Sequence, residues 1–163
     1  MCDIGCILNS MIGYYAGDAR RINHFLKVYG FAKSIGEMEG LTVTEQNILE
    51  IAAITHDIGI KNSEANYNSS AGHYQEIEGP PEARKLLEAL GFDAQIIDRV
   101  CWLIAHHHTY GDMKERDHII LVEADFIVNA YEDNMPQSSI QSVRDKVFRT
   151  ATGKEYLDTL YRQ

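Results

Sequence analysis

The sequence predicts an all-α fold, a single helical bundle, and three observations carry that prediction. Apolar residues recur at spacings of three and four along most of the chain, while few windows alternate with the period of two that a half-buried strand needs. Helix punctuation falls where that periodicity starts and stops: Asp18, Thr42 with Glu45, and Asp93 stand before apolar runs, and Gly40 and Gly91 follow them. No repeat, low-complexity tract or linker interrupts the 163 residues, a length that suits one domain with one sizeable core.

The elements follow in order. A short amphipathic helix is expected over about residues 3–15, broken by Gly17-Asp18. Asp18 caps a long helix to about residue 39, which Gly40 ends. Thr42-x-x-Glu45 is a capping-box pattern ahead of a helix that runs to Thr55. Residues 61–79 are polar and rich in Asn, Ser and Gly, and are expected to form a surface loop. Pro80-Pro81 is expected to open a helix over 82–90, and Asp93 to cap another to about residue 107. Thr109-Tyr110-Gly111-Asp112 reads as a turn, followed by helices over about 117–131, 138–151 and 154–161.

Composition narrows the partners. The charged and hydrophobic fractions, 24% and 45%, are those of an ordinary soluble globular protein. No apolar run approaches the roughly 20 residues needed to span a bilayer. The start Met1-Cys2-Asp3 lacks the basic region of a signal peptide, so a cytoplasmic protein with no membrane partner is expected. Cys2, Cys6 and Cys101 have no paired spacing and read as reduced thiols that pack as small hydrophobes. A net charge of −9 argues against a nucleic-acid polymer as partner. It leaves room for a small anion, because a bound cation reverses the local field.

The chemistry concentrates at His56-Asp57, which ends an apolar helical run in an imidazole beside a carboxylate. Such an N/O pair suits a divalent metal. Asp125 lies in an apolar stripe with Leu121, Val122 and Val128, and a buried carboxylate demands a cation or several donors. His24 shares a stripe with Val28, Phe31 and Ile35. Each placement alone has an ordinary structural explanation; the four together give two imidazoles and two carboxylates facing one core. In His106-His107-His108, successive residues point about 100° apart, so the three cannot all face one site. His107 continues the stripe of Val100, Leu103 and Ile104 and is the inward one. His106 and His108 either touch substrate or cap the helix C-terminus, where imidazolium is favoured.

The ordered set Arg21-x-x-His24, Ile54-Thr55-His56-Asp57-Ile58-Gly59, Gly79-Pro80-Pro81-Glu82-Ala83, Ile104 with the following histidines, and Val122-Glu123-Ala124-Asp125 resembles the HD-domain superfamily of metal-dependent phosphohydrolases. The resemblance covers about residues 20–131, with the C-terminal helices expected to pack on that core. It implies a helical domain with the metal site between helices, and hydrolysis of a phosphate ester or anhydride. Carried over by position, it makes His24, His56, Asp57 and Asp125 the first-metal ligands, with His56 and Asp57 the catalytic dipeptide. Some relatives hold a second metal that Asp57 would bridge. Glu78 stands where those relatives carry a histidine before Gly-Pro, so Glu78 and His107 are the second-site candidates, with His73 a substitute for Glu78. The family often has Lys directly after Ile-Gly, whereas Ile60 intervenes before Lys61 here.

One or two divalent transition-metal ions (Mn, Fe, Co, Ni or Zn) suit these mixed ligands. Arg21, Lys61, His73, His106 and His108 are the candidate substrate contacts, and Arg21 reads equally well as a structural ion pair. The leading function is hydrolysis of a nucleotide or other small phosphate ester. A non-catalytic nucleotide- or signal-binding module and a di-iron oxygenase-type protein are the alternatives.

Overall fold

The structure, a computed structural model, describes residues 3–161; Cys2 lies outside them. Its elements are α1 (Ile4–Tyr14), α2 (Ala19–Met38), α3 (Val43–Thr55), α4 (Ile60–Tyr67), α5 (Gly72–Ala89), α6 (Ala94–His106), α7 (Arg116–Glu132), α8 (Gln137–Lys146) and α9 (Ala151–Leu160). No strand occurs among the described residues. The expected all-α bundle is what forms.

Helices α3 and α7 form its centre. Helix α3 packs on α1, α2, α6 and α7, and α7 also packs on α2 and α9. Leu49, Ile51, Ala52, Ala53 and Ile54 of α3 are all fully buried, as are Ile120, Leu121 and Ala124 of α7. A helix that is apolar around its circumference has no solvent face to keep, so the polar residues these two carry are forced into the interior. The caps act as the sequence suggests except at Asp93, which holds the N-cap position of α6 without a side-chain capping bond. Asp18 Oδ1 accepts from Arg21 N at 3.1 Å. Thr42 and Glu45 form a complete capping box. Gly40 and Gly91 take left-handed φ values of 69° and 79°.

Two expectations are corrected. Residues 61–79 are not a loop: α4 fills 60–67, and only 68–71 link it to α5. Hydrophobic periodicity found only the second half of α5, the helix expected over 82–90, because the buried stripe Gln75, Gly79, Ala83 and Leu87 has helical spacing but little apolar bulk in its first half. Small residues are needed there because α4 and α5 approach backbone to backbone; a Cβ on Gly59 would lie 2.5 Å from Gly79 N. Pro80 and Pro81 lie inside α5 rather than opening a helix. Each removes a donor, but the extensive packing of α5 against α6 holds the helix through them. The Pro80 carbonyl accepts from Cys101 Sγ at 3.3 Å.

The two helices expected over 138–151 and 154–161 are α8 and α9, but the break between them comes earlier, between Lys146 and Ala151. The fully buried Glu123 carboxylate of α7 accepts from Arg149 N at 2.6 Å and Thr150 N at 2.9 Å. That bond draws both amides out of a continuing helix, and Thr150 Oγ1 then caps α9 through Gly153 N at 2.9 Å. Cys6 and Cys101 are free thiols, and no helix of the described residues is long and apolar enough to cross a membrane.

Candidate metal centre

Two helix C-termini meet at one point. His56 is the C-cap of α3 and His107 the C-cap of α6, and their rings pack edge to face at 5.3 Å. The free carbonyls of each last turn carry the negative end of the helix dipole, so the junction favours a cation. Those carbonyls also orient the rings. His56 Nδ1 lies 2.8 Å from Ala53 O, and His107 Nδ1 lies 2.7 Å from Ile104 O. A carbonyl only accepts, so each Nδ1 carries the proton and donates it, and each Nε2 presents a lone pair to the centre.

His24, from the middle of α2, completes the pattern. Its Nδ1 is 3.0 Å from Glu132 Oε2 and its Nε2 is 3.2 Å from His56 Nε2. Asp57 Oδ2 stands 3.3 Å from the first of these Nε2 atoms and 3.4 Å from the second. Asp125 Oδ1 stands 3.2 Å and 3.4 Å from the same pair. Donors held about 2.0–2.2 Å from one ion lie roughly 2.8–3.6 Å from each other, so the spacing fits. Two facing lone pairs beside two carboxylates are mutually repulsive unless positive charge lies among them. Burial opposes the His56 imidazolium, yet Asp57 and Asp125 hold its pKa well above the ordinary histidine value. Burial equally opposes the Asp57 carboxylate, yet His56, His107 and His24 hold it well below the usual range. The cluster attracts positive charge, and a metal ion would replace its protons.

A second group of donors adjoins the first. The other Asp57 oxygen, Oδ1, faces His107 Nε2 at 3.6 Å, and that nitrogen is fully buried without a hydrogen-bond partner. Asp57, His107 and His108 together offer three donors to one ion. Gln75 donates its amide to Ser70 O at 2.7 Å, which turns Oε1 toward His108 Nε2 at 3.1 Å. His108 therefore donates from Nε2 and keeps Nδ1 as its acceptor. Burial, and then the neighbouring His107, push its pKa down to about 4, which leaves it neutral.

His24, His56, Asp57, Asp125 and His107 are thus brought together, and His108 joins them. The others lie apart. Glu78 accepts from Asn66 Nδ2 at 3.2 Å and is absent from both donor groups, because α5 turns it away from the stripe of Gln75 and Gly79. His73 is exposed beside Tyr74. His106 stacks on Trp102 at 4.1 Å and bonds Trp102 O. Lys61 donates to Tyr14 O at 2.6 Å and lies over the Tyr14 ring. Arg21 lines the cavity above the cluster but is bound by Asp18 and Glu64.

Sequence reasoning missed three supports. Asn129 donates to Asp125 Oδ1 at 3.0 Å, Glu132 orients His24, and Tyr15 donates to the Asp57 carbonyl at 2.7 Å. Asp125, Asn129 and Glu132 fall at i, i+4 and i+7, one polar stripe on a buried helix, and that spacing was readable. Tyr15 gave no signal.

The model of the HD domain matches residues 21–146. The chain belongs to the HD-domain family. A crystal structure of a predicted HD superfamily hydrolase from an uncultured Thermotogales bacterium is similar, with 26% identity and a TM-score of 0.68. The match covers 95% of this chain and 83% of that one. Comparison with curated proteins gave no match. HD domains bind divalent metals, and the His24, His56 and Asp57 group fits such an ion.

Glu132 makes the role of the second layer testable. It holds Lys27 Nζ at 2.6 Å on one side and His24 Nδ1 on the other, a carboxylate–histidine pair of the kind that orients metal ligands. Glu132→Gln is expected to weaken metal affinity by about 10–100-fold. Titration of the chelator-stripped protein by calorimetry measures it, and an unchanged affinity would exclude this role.

Proposed function

We propose that this HD-domain protein is a metal-dependent phosphohydrolase acting on a nucleotide or other small phosphate ester. The observation that carries the reading is the convergence of His24, His56, Asp57 and Asp125 on one void, beside the buried and unpartnered Nε2 of His107. A divalent cation bound there supplies Lewis acidity, acidifying water and neutralising charge on a phosphoryl group.

The chain's own groups do the rest. Backbone carbonyls and Glu132 lock the three imidazoles so that Nε2 faces inward. Asn129 fixes Asp125. Asp57 offers one oxygen to His24 and His56 and the other toward His107, so it joins the two donor groups. Its Oδ1, 3.6 Å from His107 Nε2, would take the proton of an attacking water or, together with His107, would hold a second cation. A cavity of about 460 Å³ above the cluster receives the substrate. In the reaction the water oxygen bonds to phosphorus, the bond from phosphorus to the leaving oxygen breaks, and the water proton ends on that oxygen.

The test is metal analysis of the purified protein, followed by phosphate release from a panel of esters with Mn, Fe, Co, Ni or Zn. Release that a chelator abolishes and metal restores is the expected result. Nucleotide binding without turnover by metal-replete protein would point instead to a binding module, and substrate-dependent oxygen consumption to di-iron chemistry.

A further inference from the structure

The cavity above the cluster has a charge pattern that says what the leaving group is. Its lining includes the carboxylates of Asp18, Asp57, Glu64, Asp125, Glu132 and Asp133, against the guanidinium groups of Arg20 and Arg21. Asp57 and Asp125 belong to the donor cluster, which leaves four carboxylates for the outer wall. Each guanidinium already faces a carboxylate. Arg21 is bound by Asp18 at 3.3 Å and by Glu64, and Arg20 lies 3.8 Å from Asp133. Lys27 and Lys61, the nearby ammonium groups, are held by Glu132 and by the Tyr14 carbonyl.

A first phosphoryl group finds its counter-charge at the donor cluster. A second or third would meet carboxylates, and among the described lining residues both cations already face one. The base of a nucleotide fares no better. Among the described residues the lining holds no Phe, Tyr or Trp, its rings are the imidazoles of His24 and His108, both members of the donor groups, and its large aliphatic side chain is Ile60, so a nucleobase gains little stacking there. Glu64 and Asp133 are half-exposed carboxylates, each with one arginine partner and lone pairs left to accept from a substrate. Carboxylates accept and never donate when ionised, so the partner they fit is rich in donors.

Resting on the phosphohydrolase reading, we propose that the substrate is the phosphate monoester of a compact, donor-rich alcohol, a polyol or an amino alcohol, and that Glu64 and Asp133 select it against nucleoside polyphosphates. Hydrolysis consumes one water and releases inorganic phosphate and the free alcohol, whose oxygen takes the proton. The alcohol's hydroxyl or ammonium groups donate to the outer carboxylates, and the same carboxylates repel the extra charge of a polyphosphate.

The experiment compares kcat/KM for a hexitol phosphate, an amino-alcohol phosphate, a nucleoside 5′-monophosphate and a nucleoside 5′-triphosphate, with metal supplied. One of the first two is expected to exceed both nucleotides by about tenfold or more. Which of the two leads tells hydroxyl donors from ammonium. In the double variant Glu64→Gln, Asp133→Asn, the gap to the triphosphate narrows, mainly through a lower KM for the triphosphate. Both side chains are half-exposed, and circular dichroism with metal content checks that the variant is folded and loaded. Metal-dependent turnover that is best on a nucleotide would overturn this assignment and leave the phosphohydrolase standing. Unchanged discrimination in the folded double variant would remove the role of the two carboxylates. No release from any ester would sink the phosphohydrolase reading and this one with it.

Discussion

Asp57→Ala is expected to lower phosphate release by about three orders of magnitude or more, because several kcal/mol of charge stabilisation depends on its ion. Among the described residues no other side chain belongs to both donor groups: Oδ2 serves His24 and His56, and Oδ1 faces His107. Its loss leaves three imidazole lone pairs and the Asp125 carboxylate without the group that joins them. The fold should persist. Asp57 lies in the turn after α3, its carbonyl bonds to Tyr15 and to Ile60 N survive the substitution, and the core stripes of α3, α6 and α7 are untouched. Kinetics on the best ester, with metal content and far-ultraviolet circular dichroism measured in parallel, read the result. Turnover near that of the parent protein would remove Asp57 from the mechanism.

Gly59→Ala should have the largest effect on stability. Its added Cβ would lie 2.5 Å from Gly79 N, 2.8 Å from Gly79 Cα and 2.9 Å from Gln75 O. These are backbone atoms of α5, and none can rotate away. Relief requires α4 and α5 to separate, against the packing that holds α5 on α6. A loss of roughly 2–4 kcal/mol is expected from overpacking of this kind, seen as a fall of roughly 5–15 °C in Tm. Activity should fall too, because Gly59 is two residues from Asp57 and Gln75 positions His108. Gly30→Ala is the control. Nothing lies within 4 Å of its added Cβ, and it is a helical position, so stability should hold or rise by about 0.4–1 kcal/mol. Equal thermal midpoints for the two variants would show that the contact between the glycines is not tight.

The sequence by itself determined the class of fold and the identity of the inner cluster. Periodicity and caps located α1, α2, α3, α6 and α7, because those helices bury continuous apolar stripes against one core. His24, His107 and Asp125 sat in those stripes, so their inward direction was legible from phase alone, and His56-Asp57 stood out as polar residues at the end of an apolar run. Tertiary structure decided the rest. Helix α4 and the first half of α5 were invisible because two glycines in contact leave no hydrophobic signal. The position of the break between α8 and α9 depends on Glu123, a residue of another helix. Glu78 and Lys61 were assigned by position along the chain, but the rotation of α5 and the Tyr14 carbonyl direct them elsewhere. Helical phase fixes a direction relative to one axis; which side chains share a void depends on how several axes cross, and that is set by the packing of the whole bundle.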